Sequence, residues 1–175
     1  MRLTLIAAQS LDGFITRHDT PGSDFVSDAD KAFFREALRG FDCCVMGSVA
    51  YRAARETIRA KLMPDRLRIV LSRQPETFSQ DQVPGSLEFC ATPPAQLVAE
   101  LHQRGYQRCA ILGGAQIHSL FFEAGLIDEL WLTVEPLLFG SGTPLLANRT
   151  EVKLTLLSTS HLNPSTLLLK YGVEK

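Results

Sequence analysis

The sequence predicts an α/β fold in three layers: a mixed, mostly parallel central sheet, helices on both faces, and an antiparallel hairpin at the C-terminal end. Two observations carry this. Short apolar runs at 3–8, 41–46, 67–71, 87–91 and 109–112 alternate with polar or helical-period segments, the pattern of strands joined by crossover helices. Beyond Gly125 the helical period stops, and two further strand-like runs flank the turn residues Asn163 and Pro164. At 175 residues, 45% of them apolar and 21% charged, the chain is sized for one domain with a full core, spanning residues 1–175.

In chain order, residues 2–8 read as a central strand that leaves through a polar cluster, Gln9, Ser10 and Asp12, with turn chemistry at Asp12-Gly13. Open α/β sheets bind ligands at such strand ends. Asp12 has a second reading, in which its side chain bonds its own turn. Residues 16–27 form a loop. Ser27-Asp28-Ala29-Asp30 has the spacing of a capping box before a helix that buries Phe33, Phe34, Ala37 and Leu38 and stops at Gly40. Capping accounts for Asp28 and Asp30; acid catalysis is the alternative. The strand at 41–46 runs into Gly47-Ser48 and a second helix, where Arg52, Arg55 and Arg59 make a stripe that reads as solvated surface. Ser72 and Arg73 end the strand at 67–71, placing a hydroxyl and a guanidinium where an anion is held. Residues 74–85 read as a polar loop. Thr92 is placed to cap a helix that begins with Pro93 and Pro94 and breaks at Gly105.

The stretch 108–125, RCAILGGAQIHSLFFEAG, is a strand, a diglycine turn and a helix. Such a turn leaves the first helical N–H groups facing outward at the positive end of the helix dipole, which suits a pyrophosphate; close packing of strand and helix alone is the other reading of Gly113 and Gly114. The run 127–139 reads as one long strand, with Glu129 facing water and Leu130, Leu132 and Val134 alternating with Trp131 and Thr133. Its apolar length needs cover as an edge. Strands at 151–158 and 165–171 close the chain.

A formal net charge of -1 with scattered Lys and Arg gives no footprint for nucleic acid. No run approaches the ~20 apolar residues of a membrane span. Cys43, Cys44, Cys90 and Cys109 lack C-x-x-C spacing and read as buried thiols in a reducing cytoplasm, and His18, His102, His118 and His161 lack metal-ligand spacing, so no metal is expected.

Six pieces, in this order, resemble the dihydrofolate reductase-like superfamily and within it the C-terminal reductase domain of riboflavin biosynthesis proteins: Gln9-Ser10-Leu11-Asp12-Gly13, Val45-Met46-Gly47, Val70-Leu71-Ser72, Leu112-Gly113-Gly114-Ala115, Leu126-Ile127-Asp128-Glu129-Leu130 and Pro136-Leu137-Leu138-Phe139-Gly140-Ser141-Gly142. The resemblance implies an NAD(P)H-dependent reductase of a small nitrogen heterocycle, of the 5-amino-6-(5-phosphoribosylamino)uracil reductase type, with a pterin reductase and a non-catalytic nucleotide-binding homologue as alternatives. It implies NADPH held by Ala8, Gly47, Ser48, Ser72, Arg73, Gly113, Gly114, Ala115 and Gln116. Where the family has Arg-x-Thr after the second strand's glycine, this chain has Ser48-Val49-Ala50, which leaves NADH open as the cofactor.

Hydride transfer would then be completed by a proton from Asp12 or Asp28, with Ser10, Asp12 and Arg35 at the substrate; dihydrofolate reductases proper place their acid on the first helix, which favours Asp28 or Asp30. Arg52, Arg55 and Arg59 are further candidates for a substrate phosphate. No H-x-E or P-C-x-x-C deaminase signature is present, so the chain reads as a stand-alone reductase domain. Relatives also imply a homodimer.

Overall fold

The computed structural model describes residues 1–174; Lys175, the last residue of the expected domain, lies outside the described residues. The apolar runs form eight strands: β1 (Arg2–Ser10), β2 (Cys43–Gly47), β3 (Leu67–Leu71), β4 (Leu87–Cys90), β5 (Arg108–Gly113), β6 (Glu129–Glu135), β7 (Leu154–His161) and β8 (Leu167–Val173). They share one sheet in the order β4-β3-β2-β5-β1-β6-β8-β7. All pairings from β4 to β6 are parallel, while β6 with β8 and β8 with β7 are antiparallel.

Four helices cover the two faces: α1 (Asp28–Ala37), α2 (Ser48–Ala60), α3 (Pro94–Gln103) and α4 (Ala115–Glu123). Parallel neighbours need right-handed crossovers. Connections stepping from β1 through β2 to β3 therefore put α1 and α2 on one face, over Ile6, Cys44, Met46 and Val70. Return steps put α3 and α4 on the other, over Leu3, Leu5, Val45, Ile69 and Ile111. β1 is covered on both faces and paired on both edges, which is why its residues form a continuous apolar run.

Several expectations are corrected. The run 127–139 is strand only over Glu129–Glu135, because Pro136 has no N–H to continue a ladder. β6 lies between β1 and β8, so it is not an edge, and Glu129 does not simply face water: it accepts from the Trp131 indole N–H at 2.8 Å and pairs with Arg2. The 74–85 loop contains a 3-10 helix, Pro75–Asp81, with Phe78 and Asp81 buried. Phe78 stacks on Phe89 at 4.9 Å and meets Tyr51 edge-on. The arginine stripe is mostly exposed as expected, but it is also tied down: Arg55 grips Asp81 with two nitrogens at 2.7 and 2.6 Å, Arg59 adds a third contact at 2.9 Å, and Arg52 lies over the Phe78 ring at 5.0 Å. With Arg55 foremost and the Tyr51 hydroxyl behind it, these donors hold the Asp81 carboxyl down at about 2. Pro93, not Thr92, is the residue before α3. Cys43, Cys44 and Cys109 are buried free thiols, while Cys90 is only half-buried. Among the described residues no helix is long and apolar enough to cross a membrane.

Candidate functional site

Parallel strands bring their carboxyl ends to one edge, and both polar clusters found in the sequence lie there. On one side, β2 and β5 each run through glycine straight into a helix. Gly47 and Gly114 are the N-caps of α2 and α4, and neither start carries a side-chain cap. The turns are tight for identifiable reasons. A Cβ on Gly47 would stand 2.9 Å from Ile117 of α4. Gly113 has φ 91, and a Cβ there would stand 2.5 Å from the His118 Nε2. The peptide bond joining Gly113 to Gly114 is cis. At Gly114, in contrast, a Cβ would meet nothing within 4 Å, so the space in front of α4 is open. Ala115 is buried and Gln116 exposed in the first turn of α4.

Beside these turns Ser48, Arg52, Ser72, Arg73 and Gln74 line a polar recess of about 480 Å³. The Gln74 N–H donates to the Ser72 hydroxyl at 3.1 Å, which shapes its floor. Arg52 is fixed by the Phe78 ring, and Phe78 in turn by the ties on Asp81. The recess thus presents two hydroxyls and two guanidinium groups on a rigid wall, a donor set for a phosphate. Ala8 sits at the far end of β1 in register with Thr133 and contributes backbone rather than a polar group.

The substrate-side candidates separate. Asp12 accepts from the Ser10 hydroxyl at 2.5 Å, from the Gly140 N–H at 2.7 Å and from the Phe139 N–H at 3.0 Å. These donors, Ser10 foremost, lower its pKa. A carboxylate held in its charged form is a poor proton donor, and Asp12 is a clasp between the loops that follow β1 and β6. Asp28 is the first residue of α1, its side chain almost wholly exposed and paired with Lys31 at 3.2 Å. Arg35 lies in the last turn of the same helix and is exposed, away from the strand ends. Neither joins the cluster.

Asp30 does. It is 8% exposed, and burial in the first instance pushes its pKa up; a hydrogen bond with Thr133 opposes the shift and Glu135 adds to it. The capping box is correspondingly altered. The Ser27 hydroxyl accepts from the Asp30 N–H at 3.2 Å as expected, but the Asp30 carboxyl does not return to the Ser27 N–H, which donates instead to Glu135 at 2.8 Å. The sequence reading missed Thr133, Glu135 and Thr166. For Thr133 and Glu135 the signal was polar residues at i and i+2 in a mostly apolar strand; Thr166, in the turn before β8, carried none.

This topology, a mostly parallel eight-stranded sheet flanked by helices with an antiparallel C-terminal pair of strands, is that of the dihydrofolate reductase-like α/β fold. The profile of the RibD C-terminal domain family matches residues 2–168, and the chain belongs to that family. It is 27% identical to YwjB of Bacillus subtilis over 161 residues, covering 87% of this chain and 88% of that one. Among solved structures, it is similar to a putative riboflavin biosynthesis protein of Shewanella sp. PV-4 at a TM-score of 0.76 and 22% identity, with both chains covered fully. It is also similar to a Thermotoga maritima deaminase/5-amino-6-(5-phosphoribosylamino)uracil reductase at a TM-score of 0.79 and 16% identity, covering 98% of this chain and 56% of that one. At these identities the solved structures establish the fold.

Two outcomes follow from His118. Its Nδ1 donates to the Leu145 carbonyl at 2.8 Å, leaving Nε2 bare and buried, and burial lowers its pKa from 6.5 to about 4. The unfolded chain therefore binds this proton more readily than the native state. Stability from neutral His118 is fully present above pH 6.5 and is lost as pH falls towards 4, about 3 kcal/mol in all. Urea unfolding at a series of pH values shows this loss in the native protein and a flatter acid limb in His118→Asn, which keeps a donor for Leu145. Gly113→Ala, which meets both the positive φ and the imidazole, lowers unfolding free energy by about 2–4 kcal/mol in the same assay.

Proposed function

We propose that this protein is an NADPH-dependent reductase of a small nitrogen heterocycle. The observation that carries the reading is the pairing, along one sheet edge, of an anion-binding half and a proton-holding half. The first half is the open start of α4 and the recess of Ser48, Arg52, Ser72 and Arg73; the second is the buried carboxyl of Asp30. Gly113, Gly114, Ala115 and Gln116 are the residues to hold a pyrophosphate, using N–H groups and the helix dipole. Gly47 and Ala8 keep backbone close to the cofactor without side-chain bulk. Arg52 and Arg73, with Ser48 and Ser72, supply the charge and hydroxyls for a 2′-phosphate, replacing the family's Arg-x-Thr and favouring NADPH over NADH.

The bound nicotinamide supplies a hydride. What the chain adds is orientation and a proton. Asp30, rather than Asp12 or Asp28, is the group to hold that proton, because burial keeps it on the carboxyl nearer neutral pH. Thr133 faces this carboxyl and fixes its direction. Asp12 keeps its place near the substrate by clasping the rim at Phe139 and Gly140, with Ser10 beneath it. The substrate reading remains the 5-amino-6-(5-phosphoribosylamino)uracil type, supported by the family. A dihydropterin is the second reading, favoured by the placement of the buried acid on the first helix.

Titration with NADPH and NADH, followed by nicotinamide fluorescence, tests the cofactor half. Micromolar NADPH binding, weaker NADH binding, and loss of both in Gly114→Asp with the fold retained are expected; unchanged affinity in that variant moves the site elsewhere. NADPH oxidation with each substrate tests the chemistry. Asp30→Asn is expected to bind NADPH as the parent does while losing about 10²–10⁴-fold in turnover. Binding with no turnover of any pyrimidine or pterin supports the non-catalytic reading.

The homodimer is also proposed, on a different surface from the one expected. Of the two edge strands, β4 and β7, the second is uncharged from Leu154 to Ser160, ends at His161, and exposes Leu156 and Leu157 at 52% and 55%. Sedimentation across the micromolar range is expected to give twice the 19.4 kDa chain mass, and a monomer mass removes the proposal.

A further inference from the structure

Glu135 is given no role of its own in the proposed reaction, yet it is a deeply buried acid at this end of the sheet. It closes β6, is 2% exposed, and pairs in register with Ser10 of β1. Its Oε1 accepts from both the N–H and the hydroxyl of Ser27 at 2.8 Å, and its Oε2 accepts from the Thr166 hydroxyl at 3.0 Å. Thr166 is itself oriented by the Asn163 side-chain amide, at 3.0 Å. All of these donors are neutral. A buried carboxylate solvated only by neutral donors is expensive, but both of its oxygens accept here, and a Gln amide in place of Oε2 would turn the Thr166 hydroxyl from donor to acceptor.

The same geometry ties the carboxylate to a second acid. Ser27 is the N-cap of α1, and its hydroxyl donates to Glu135 at 2.8 Å while accepting from the Asp30 N–H at 3.2 Å, so the two acidic residues meet on one cap, and the negative charge of Glu135 opposes a second one on Asp30. The charged groups acting on Asp30 are Glu135 from β6 and Lys31 from α1; Lys31 is exposed, with its ammonium on Asp28. The other surrounding groups, Ser27, Thr133, Thr166 and Ser10, carry no charge.

We propose that Glu135 is a positioning residue for Asp30: buried between Ser27 and Thr166, it locks the first turn of α1 onto the ends of β6 and β8 and, through its charge, governs how firmly the Asp30 carboxyl keeps its proton. This rests on the assignment of Asp30 as the proton-holding group. Glu135 is held by Ser27 and Thr166, and its effect runs through Asp30, whose protonated form it favours.

The test is a titration of the full chain carrying side-chain ¹³C-labelled aspartate, with the Asp30 carboxyl resonance identified by its absence in Asp30→Asn. In Glu135→Gln the Asp30 midpoint is expected to move to lower pH by about one unit, a tenfold loss of proton affinity, with the amide spectrum otherwise retained. Glu135→Asp keeps the charge and is expected to keep the raised midpoint. Glu135→Leu serves as a second uncharged variant with the same expected direction should Glu135→Gln fail to fold. An Asp30 midpoint unchanged on removing the charge overturns the proposal and leaves Glu135 a purely structural tie. The readout does not depend on turnover. Full activity of Asp30→Asn would defeat the reductase assignment of Asp30, while a midpoint shift in Glu135→Gln would still stand.

Discussion

The structure depends on the position of β1 between two parallel neighbours. Parallel pairing with β5 on one edge and β6 on the other points three carboxyl ends the same way, and right-handed crossovers then leave that edge free of helices. Everything chemically distinctive about the chain lies along it. The glycine turns end β2 and β5, the hydroxyl and guanidinium follow β3, the Ser10–Asp12 clasp ends β1, and Glu135 ends β6. None of these groups is near another in sequence; the strand order alone makes them neighbours.

The edge is divided by charge. The end near β3 and β2 gathers Arg52 and Arg73 with hydroxyls, while the end near β1 and β6 gathers Asp30 and Glu135, neither of them ion-paired to a cation among the described residues. Basic and acidic groups are thus kept apart along one surface. The arginines that might have blurred the division are accounted for: Arg55 and Arg59 are committed to Asp81.

Much of this was legible in the sequence because the signals are local. Strand runs, the diglycine turn and the polar ends of β1 and β3 are each set by a few consecutive residues, and the order of elements followed. What stayed hidden was decided by partners distant in the chain. Asp12 read as either an acid or a turn residue, and the N–H groups of Phe139 and Gly140 that hold it lie over a hundred residues away; Asp30 read as a cap or an acid, and its burial against Thr133 and Glu135 of β6 is set by the fold. Asp81 sat in a polar stretch that seemed a loop, since the arginines that hold it come from α2. The extent of β6 was misjudged for the opposite reason: an apolar run continued past Pro136, where the hydrogen-bond ladder cannot.

The register of β1 also bears on how the chain is made. Leu3 pairs with Cys109 and Ala7 with Leu132, so the first of the eight strands to be made has no sheet partner until about a hundred further residues have been added. Domain formation must wait on those late strands, and during synthesis the apolar stretch Leu3 to Ala8 stays uncovered while β2, β3 and β4 are free to pair among themselves. The strand that ends as the best-protected element of the native sheet is the one whose nascent form most needs shielding.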